Sequence, residues 1–300
     1  MKILVTGGLG FIGSHTAARL LKEGHEIHVL DNLHSGSEDN IRAIKERIKI
    51  TKGDAGSLDT LGQKFEAIVH LGAYSSSPMY REDPQLTART LADWVAILEY
   101  ARRNDCSVVF ASSSSLYNGN KPPQREDMNI QVTDFYAEAR YAMERLARLY
   151  NDLYSLRPVA LRYFSVYGPG EQSKGRYANL VSQFLWAIKG GKQPLIFGDG
   201  TQSRDFIHVD DVVEANLRAL GYGKHGIFNI GTGRSATLNQ VVDLLNTELG
   251  TGIKPRYEPN RIKNYVAHTL ADTSLAGREL HFRSSISLET GIARLVHGGE

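Results

Sequence analysis

A single cysteine, Cys106, stands in 300 residues. It excludes an internal disulfide framework and any multi-cysteine metal site, and it fits a reducing compartment. Ten histidines are present, yet none falls at metal-ligand spacing, so no metal is expected. Long apolar runs are missing as well. No stretch approaches the roughly 18 residues of a membrane helix. The first eight residues hold too short an apolar run for a secretory signal, which needs about 7–15. Charge of one sign is not in excess: 35 Lys and Arg against 33 Asp and Glu leave a net charge of +2. That balance predicts no nucleic-acid face and no polybasic membrane anchor. With 41% hydrophobic and 23% charged residues, the composition is that of an ordinary globular chain. A cytoplasmic location is the expectation.

What is present is a regular alternation of two hydrophobic periods. Short β-rich runs occur at Ile3–Val5, Ile27–Leu30, Ile48–Thr51, Ala67–His70, Val108–Ala111 and Val159–Arg162. Helical patterns fill the intervals at Phe11–Lys22, Glu38–Lys45, Leu86–Arg103 and Phe135–Leu153. Strand and helix in alternation predict an α/β fold, a Rossmann-type doubly wound parallel sheet. The near-continuous apolar strands agree with a sheet covered on both faces. The polar segment Tyr117–Asp134 reads as a long loop, of the kind that serves a site. Past residue 165 the alternation weakens. A strand at Asp205–Val209, a helix at Asp210–Leu220 and a strand at Phe228–Ile230 are expected, then helices at Leu238–Leu249 and Leu288–Val296. We therefore expect one α/β domain over residues 1–165 that also receives about 205–230. A smaller, discontinuous substrate lobe is expected over 166–204 and 231–300.

Thr6-Gly7-Gly8-Leu9-Gly10-Phe11-Ile12-Gly13 joins the first strand to the first helix. Glycines at 7, 10 and 13 allow a tight turn, close approach to a pyrophosphate and close helix–sheet packing. The helix N-terminus then offers free N–H groups. The second strand ends at Asp31-Asn32. An acid there can accept hydrogen bonds from an adenosine ribose and repels a 2′-phosphate, which favours NAD over NADP.

With these motifs the chain resembles an extended short-chain dehydrogenase/reductase of the nucleotide-sugar epimerase/dehydratase kind, similar to UDP-glucose 4-epimerases. The resemblance runs through Gly53-Asp54, His70-Leu71-Gly72-Ala73, Ser112 to Tyr117, Tyr136-Ala137-Glu138-Ala139-Arg140, Leu161 to Gly170, Arg204 to Asp211 and Asn229 to Gly233. It implies NAD contacts from Gly7, Gly10, Phe11, Ile12, Gly13, Asp31, Asn32, Asp54, Ala55, Leu71, Gly72 and Ala73, as well as from Tyr136 and Arg140. It implies substrate contacts from Ser75, Ser113, Ser165, Asn179, Arg204 and Arg261. It also implies a homodimer paired through the helices near 86–103 and 135–153. His208 is expected to be a satisfied structural histidine.

Tyr136 and Arg140 are four apart and share a helical face. A fixed cation favours phenolate. A phenolate can take a proton from a sugar hydroxyl while hydride leaves the same carbon, and by resemblance Ser113 orients that oxygen. Delivering hydride back to the other face gives an epimer at C4. The family's lysine is here Arg140, its buried Asn is Thr90, and the Asn at its diphosphate region is Ser165. Lysine at 140 is expected to preserve or raise activity. Ser114 and Ser115 replace the Asp-Glu pair of dehydratases, which argues against dehydration. Three readings follow: a NAD-dependent 4-epimerase of a UDP-sugar, a NAD-binding scaffold or regulator with weakened chemistry, and a NAD-dependent dehydrogenase or decarboxylase of a related sugar nucleotide.

Overall fold

The computed structural model describes residues 1–261 and 264–298; residues 262, 263, 299 and 300 of the expected lobe lie outside that description. Seven strands form the main sheet: β1 (Lys2–Thr6), β2 (Glu26–Asp31), β3 (Lys49–Lys52), β4 (Ala67–His70), β5 (Ser107–Ser113), β6 (Val159–Tyr163) and, after further elements, Gly226–Ile230. All their pairings are parallel. Three two-stranded sheets lie apart from it: β7 (Ser165–Tyr167) with β10 (Phe206–His208), β8 (Leu195–Phe197) with β13 (Arg256–Glu258), and β9 (Ser203–Arg204) with β12 (Ala236–Thr237). Gly226–Ile230 is β11, and the main sheet runs β11-β6-β5-β4-β1-β2-β3. The order reverses at β1, flanked by β4 and β2. Such a switch point opens a crevice at the carboxyl ends of the strands.

The helices are α1 (Phe11–Lys22), α2 (Ser77–Glu82), α3 (Gln85–Asn104), α4 (Phe135–Tyr154), α5 (Leu180–Lys189), α6 (Val209–Leu220), α7 (Leu238–Leu249), α8 (Ser274–Glu279) and α9 (Leu288–His297). The apolar faces of α3 and α4 meet the sheet beside each other; Trp94 Nε1–H donates to the Met143 carbonyl at 2.9 Å. Asp134 caps α4, its carboxylate accepting the Ala137 N–H at 2.7 Å. Along α4, Tyr136, Arg140, Glu144 and Ala147 are buried, one stripe at helical spacing. A separate apolar core joins α5, α7 and α9 through Val181, Phe184, Leu185, Leu238, Val241 and Ile292. None of the described helices is long and apolar enough to cross a membrane.

Several local expectations are corrected. Glu38–Lys45 is not one helix but two 3-10 turns, Glu38–Ile41 and Lys45–Arg47; it has too few apolar positions to hold a longer helix on the sheet. The strand expected at Asp205–Val209 is Phe206–His208, because Asp205 is drawn into a buried hub. Its carboxylate accepts the N–H groups of Thr232, Gly233 and Ala271 at 2.8, 2.9 and 3.1 Å. Helices α2, α5 and α8 were not expected. The loop Tyr117–Asp134 is anchored by Gln124, whose N–H donates to the Leu270 carbonyl at 2.8 Å.

At the end of β4, His70 is 1% exposed, is linked to Thr6 Oγ1 at 2.7 Å and stacks on Trp94. Burial, and next the nearby Arg140 charge, push its pKa down to about 3. The unfolded imidazole gains a proton below its ordinary value while the folded one stays neutral, so stability falls as pH drops from 6.5 towards 3. Between about pH 8 and about pH 5 this one group removes about 2 kcal/mol. The denaturant midpoint of the wild type is expected to drop over that range, and His70→Asn to flatten the drop.

Candidate active site

A cleft of about 330 Å³ lies along the carboxyl edge of β1, β2, β4 and β5. The glycine-rich turn forms its floor. Gly7 has φ +69, and a β-carbon there would meet the Leu71–Gly72 backbone at 2.6 Å. At Gly13 a β-carbon would collide with the Gly7 carbonyl. Only glycine satisfies both constraints, the first by its φ and the second by its size. The first turn of α1 has no side-chain cap, so its free N–H groups face the crevice. Asp31, 6% exposed, closes β2. Its carboxylate accepts the N–H of Leu9 at 2.9 Å and of Leu33 at 2.7 Å. Burial raises its pKa and these backbone bonds oppose the rise. It thus shapes the glycine turn and lines the cleft.

Gly7, Gly10, Phe11, Ile12, Gly13, Asp31, Asn32, Ala55, Leu71, Gly72 and Ala73 all line the cleft. Asp54 does not; it accepts from Asn32 Nδ2 at 2.9 Å and acts behind that lining residue. These features fit a dinucleotide: a cradle too tight for any β-carbon, an uncapped helix start, and an acid at the end of β2.

Tyr136, Ser113 and Arg140 line the same cleft. The Tyr136 ring packs edge-on against Tyr80 at 5.5 Å, and the Arg140 guanidinium lies 5.1 Å from the Tyr136 ring centroid. Arg140 is 3% exposed. Its Nη1 donates to the Ala111 carbonyl at 2.8 Å, and its Nη2 to the carbonyls of Tyr74 at 2.7 Å and Ala73 at 3.4 Å. The guanidinium therefore ties the segment after β4 to β5. The serines separate by partner. Ser112 donates to the buried Glu144 carboxylate at 2.5 Å. Ser113 accepts the Ser115 N–H at 3.1 Å, which leaves its own O–H to donate.

Ser75, Ser165 and Asn179 also line the cleft; Asn179 additionally caps α5, accepting the Val181 N–H at 3.0 Å. Arg204 and Arg261 do not line it. Arg204 stacks on Tyr265 and donates to the carbonyls of Ser203 and Ala267 at 2.9 and 2.8 Å, and to that of Val266. Local backbone carbonyls capture the guanidinium expected to meet a diphosphate. Arg261 is exposed. His208 is only half satisfied: Nδ1 accepts the Asp210 N–H at 3.2 Å, while Nε2 is buried without a partner.

The sequence reading missed Tyr74, Lys174 and Tyr177, which also line the cleft. A basic residue shortly after Gly168-Pro169-Gly170 and directly before Gly175 was the available signal for Lys174. Asp31 is the one carboxylate among the described lining residues, so the cleft holds no acid pair for elimination of water. No group of His, Cys, Asp and Glu among the described residues could hold a metal.

The sequence profile of the NAD dependent epimerase/dehydratase family matches residues 3–231. The chain is 33% identical to the UDP-glucose 4-epimerase of Mycolicibacterium smegmatis, over 99% of this chain and 97% of that protein. A UDP-glucose 4-epimerase structure from Thermotoga maritima, with UDP-glucose, superposes with TM-score 0.93 at 32% identity, covering 99% and 97% of the two chains. A UDP-N-acetylglucosamine 4-epimerase from Methanobrevibacter ruminantium, in complex with UDP-N-acetylmuramic acid, gives TM-score 0.93 at 30% identity, covering 98% and 96%. A tight glycine cradle, a tyrosine one helical turn from a buried cation, and these matches along nearly the whole chain lead to one conclusion: the chain belongs to the NAD dependent epimerase/dehydratase family.

Proposed function

We propose that this chain epimerises C4 of a UDP-sugar of the UDP-glucose/UDP-galactose type. The observation that carries the reading is the convergence of Tyr136, Ser113 and Arg140 on the cleft that holds the glycine cradle. NAD bound along Gly7–Gly13, Asp31 and Leu71–Ala73 supplies a hydride acceptor and donor at the sugar carbon. Tyr136 takes the proton of the 4-hydroxyl as hydride departs and returns it after the 4-keto sugar has turned. The Arg140 guanidinium lies 5.1 Å from the centre of that phenol ring, a fixed cation beside the group that handles the proton. Ser113 donates its O–H to the sugar oxygen and holds it at the phenol. Short polar side chains at 75, 113 and 165 leave room for the hexose, and the lack of an acid pair leaves the 6-hydroxyl in place.

Arg140 acts as a clamp as much as a charge. Three carbonyls depend on its fork, a geometry that one ammonium cannot reproduce. The expectation that lysine is neutral or better here is therefore replaced. Arg140→Lys is expected to lower stability by about 1–3 kcal/mol and turnover with it, read by thermal melting and by product analysis.

The family pairing is proposed for this chain as well. Val95, Leu149 and Leu153 on α3 and α4 are 39, 51 and 68% exposed, an apolar strip that a second copy would cover. Light scattering is expected to give twice the chain mass of 33.2 kDa, and Leu149→Lys to give one chain. The catalytic assignment is tested by Tyr136→Phe. Turnover with UDP-glucose is expected to fall by about 10²–10⁴ while the protein still binds NAD. Unchanged turnover removes the assignment, and a wild type whose bound NAD stays oxidised with every UDP-sugar favours the scaffold reading.

A further inference from the structure

One cation of the cleft has no part in the mechanism above. Lys174 stands on the segment Gln172–Tyr177, and its ammonium lies 5.6 Å from the Phe11 ring centroid. Phe11 opens α1, whose first turn lacks a side-chain cap. A fixed cation and a helix N-terminus lining one cleft carry like charge, an arrangement that an anion between them turns from repulsive to favourable. The lysine is not there by chance of rotamer. Glu171, 1% exposed, holds it from behind at 2.9 Å. The same carboxylate accepts the Asn179 N–H at 3.0 Å and the Ser182 hydroxyl at 2.6 Å. An anchor so tied fixes the ammonium while occupying one of its three donors.

The segment itself is pinned at both ends. Ser173 donates to the Ser35 carbonyl at 2.8 Å, beyond β2. Arg176 and the Tyr177 hydroxyl both donate to Glu82 at the end of α2, at 2.7 and 2.6 Å. It therefore carries Lys174 as a bridge from the Asp31 side of the cleft to the α2 side.

We propose that Lys174 binds the diphosphate of the dinucleotide, meeting from the bridge the anion that the start of α1 holds from the floor. This rests on the reading of the cleft as a NAD site.

Calorimetric titration of wild type, Lys174→Gln and Lys174→Arg with NAD and with adenosine tests it. Lys174→Gln is expected to weaken NAD by about tenfold, equivalent to about 1.4 kcal/mol, and to flatten the loss of affinity with salt. Lys174→Arg is expected to restore most of that affinity. Adenosine carries no phosphate and is expected to bind all three alike, which also reports an intact fold. Equal NAD affinity in Lys174→Gln and wild type overturns the proposal. So does a loss shared by adenosine, or a loss confined to the KM of the UDP-sugar. Absence of NAD binding by the wild type removes the cofactor reading and this proposal together.

Discussion

Glu144 and Arg162 form a bidentate ion pair at 2.9 and 2.6 Å, each 2% exposed, under the working end of the cleft. The pair links α4 to β6, and its remaining bonds reach further. Ser112 of β5 donates to the Glu144 carboxylate at 2.5 Å, and Arg162 donates to the Tyr117 hydroxyl at 2.7 Å. Tyr117 in turn donates to Asn229 of β11 at 2.7 Å. Burial raises the Tyr117 pKa and outweighs the Arg162 charge that opposes it, so this phenol stays neutral and remains a donor. Removing one partner of such a pair typically costs about 3–5 kcal/mol, while an apolar replacement of both can be neutral. Stability alone therefore does not account for it. Its effect is positional: it locks α4 against the end of β5, where Ser113 stands.

Two helical turns of α4 carry the consequences upward. Glu144 is locked below, Arg140 clamps the segment after β4 one turn above, and Tyr136 reaches the cleft one turn above that. The spacing 136, 140, 144 places all three on one face. Each side chain is held by groups from other elements: Tyr80 against Tyr136, three backbone carbonyls around Arg140, Arg162 and Ser112 around Glu144. A phenol held in this way needs little reorganisation when charge develops beside it. The opposite wall is built differently. It comes from the segment 165–179, where Ser165, Val166, Lys174, Tyr177 and Asn179 line the cleft, and its bonds through Ser173, Arg176 and Tyr177 lie at the exposed surface. The two walls of the cleft thus differ in how firmly they are tied into the fold.

Much of this was legible in the chain itself. β1, β2, β4, β5 and β6 lie within two residues of their expected positions, because buried parallel strands require continuous apolar runs and the helices between them require a different period. The glycine turn and Asp31 were legible because the backbone geometry they need is local. Tyr136 and Arg140 were legible through the family resemblance, and their spacing put both on one helical face. Arg204 was not: its guanidinium meets the carbonyls of 266 and 267, more than sixty residues away, and no local pattern encodes that capture. Lys174 was hidden for the same reason. Its meaning depends on Phe11 and Glu171 converging on it, and Phe11 is distant in the chain. The choice among Ser112, Ser113 and Ser114 lay between, since Ser112 is set apart only by its bond to Glu144, thirty-two residues on.

Sequence alone determined the alternation of strands and helices, the glycine cradle and the placing of a phenol one turn from a cation, since each rests on φ/ψ preference or on periodicity within a few residues. Tertiary structure decided where each charged side chain ends. A buried guanidinium or ammonium goes to whatever acceptors the fold brings within about 3 Å, and for Arg140, Arg162, Lys174 and Arg204 most of those acceptors come from distant parts of the chain.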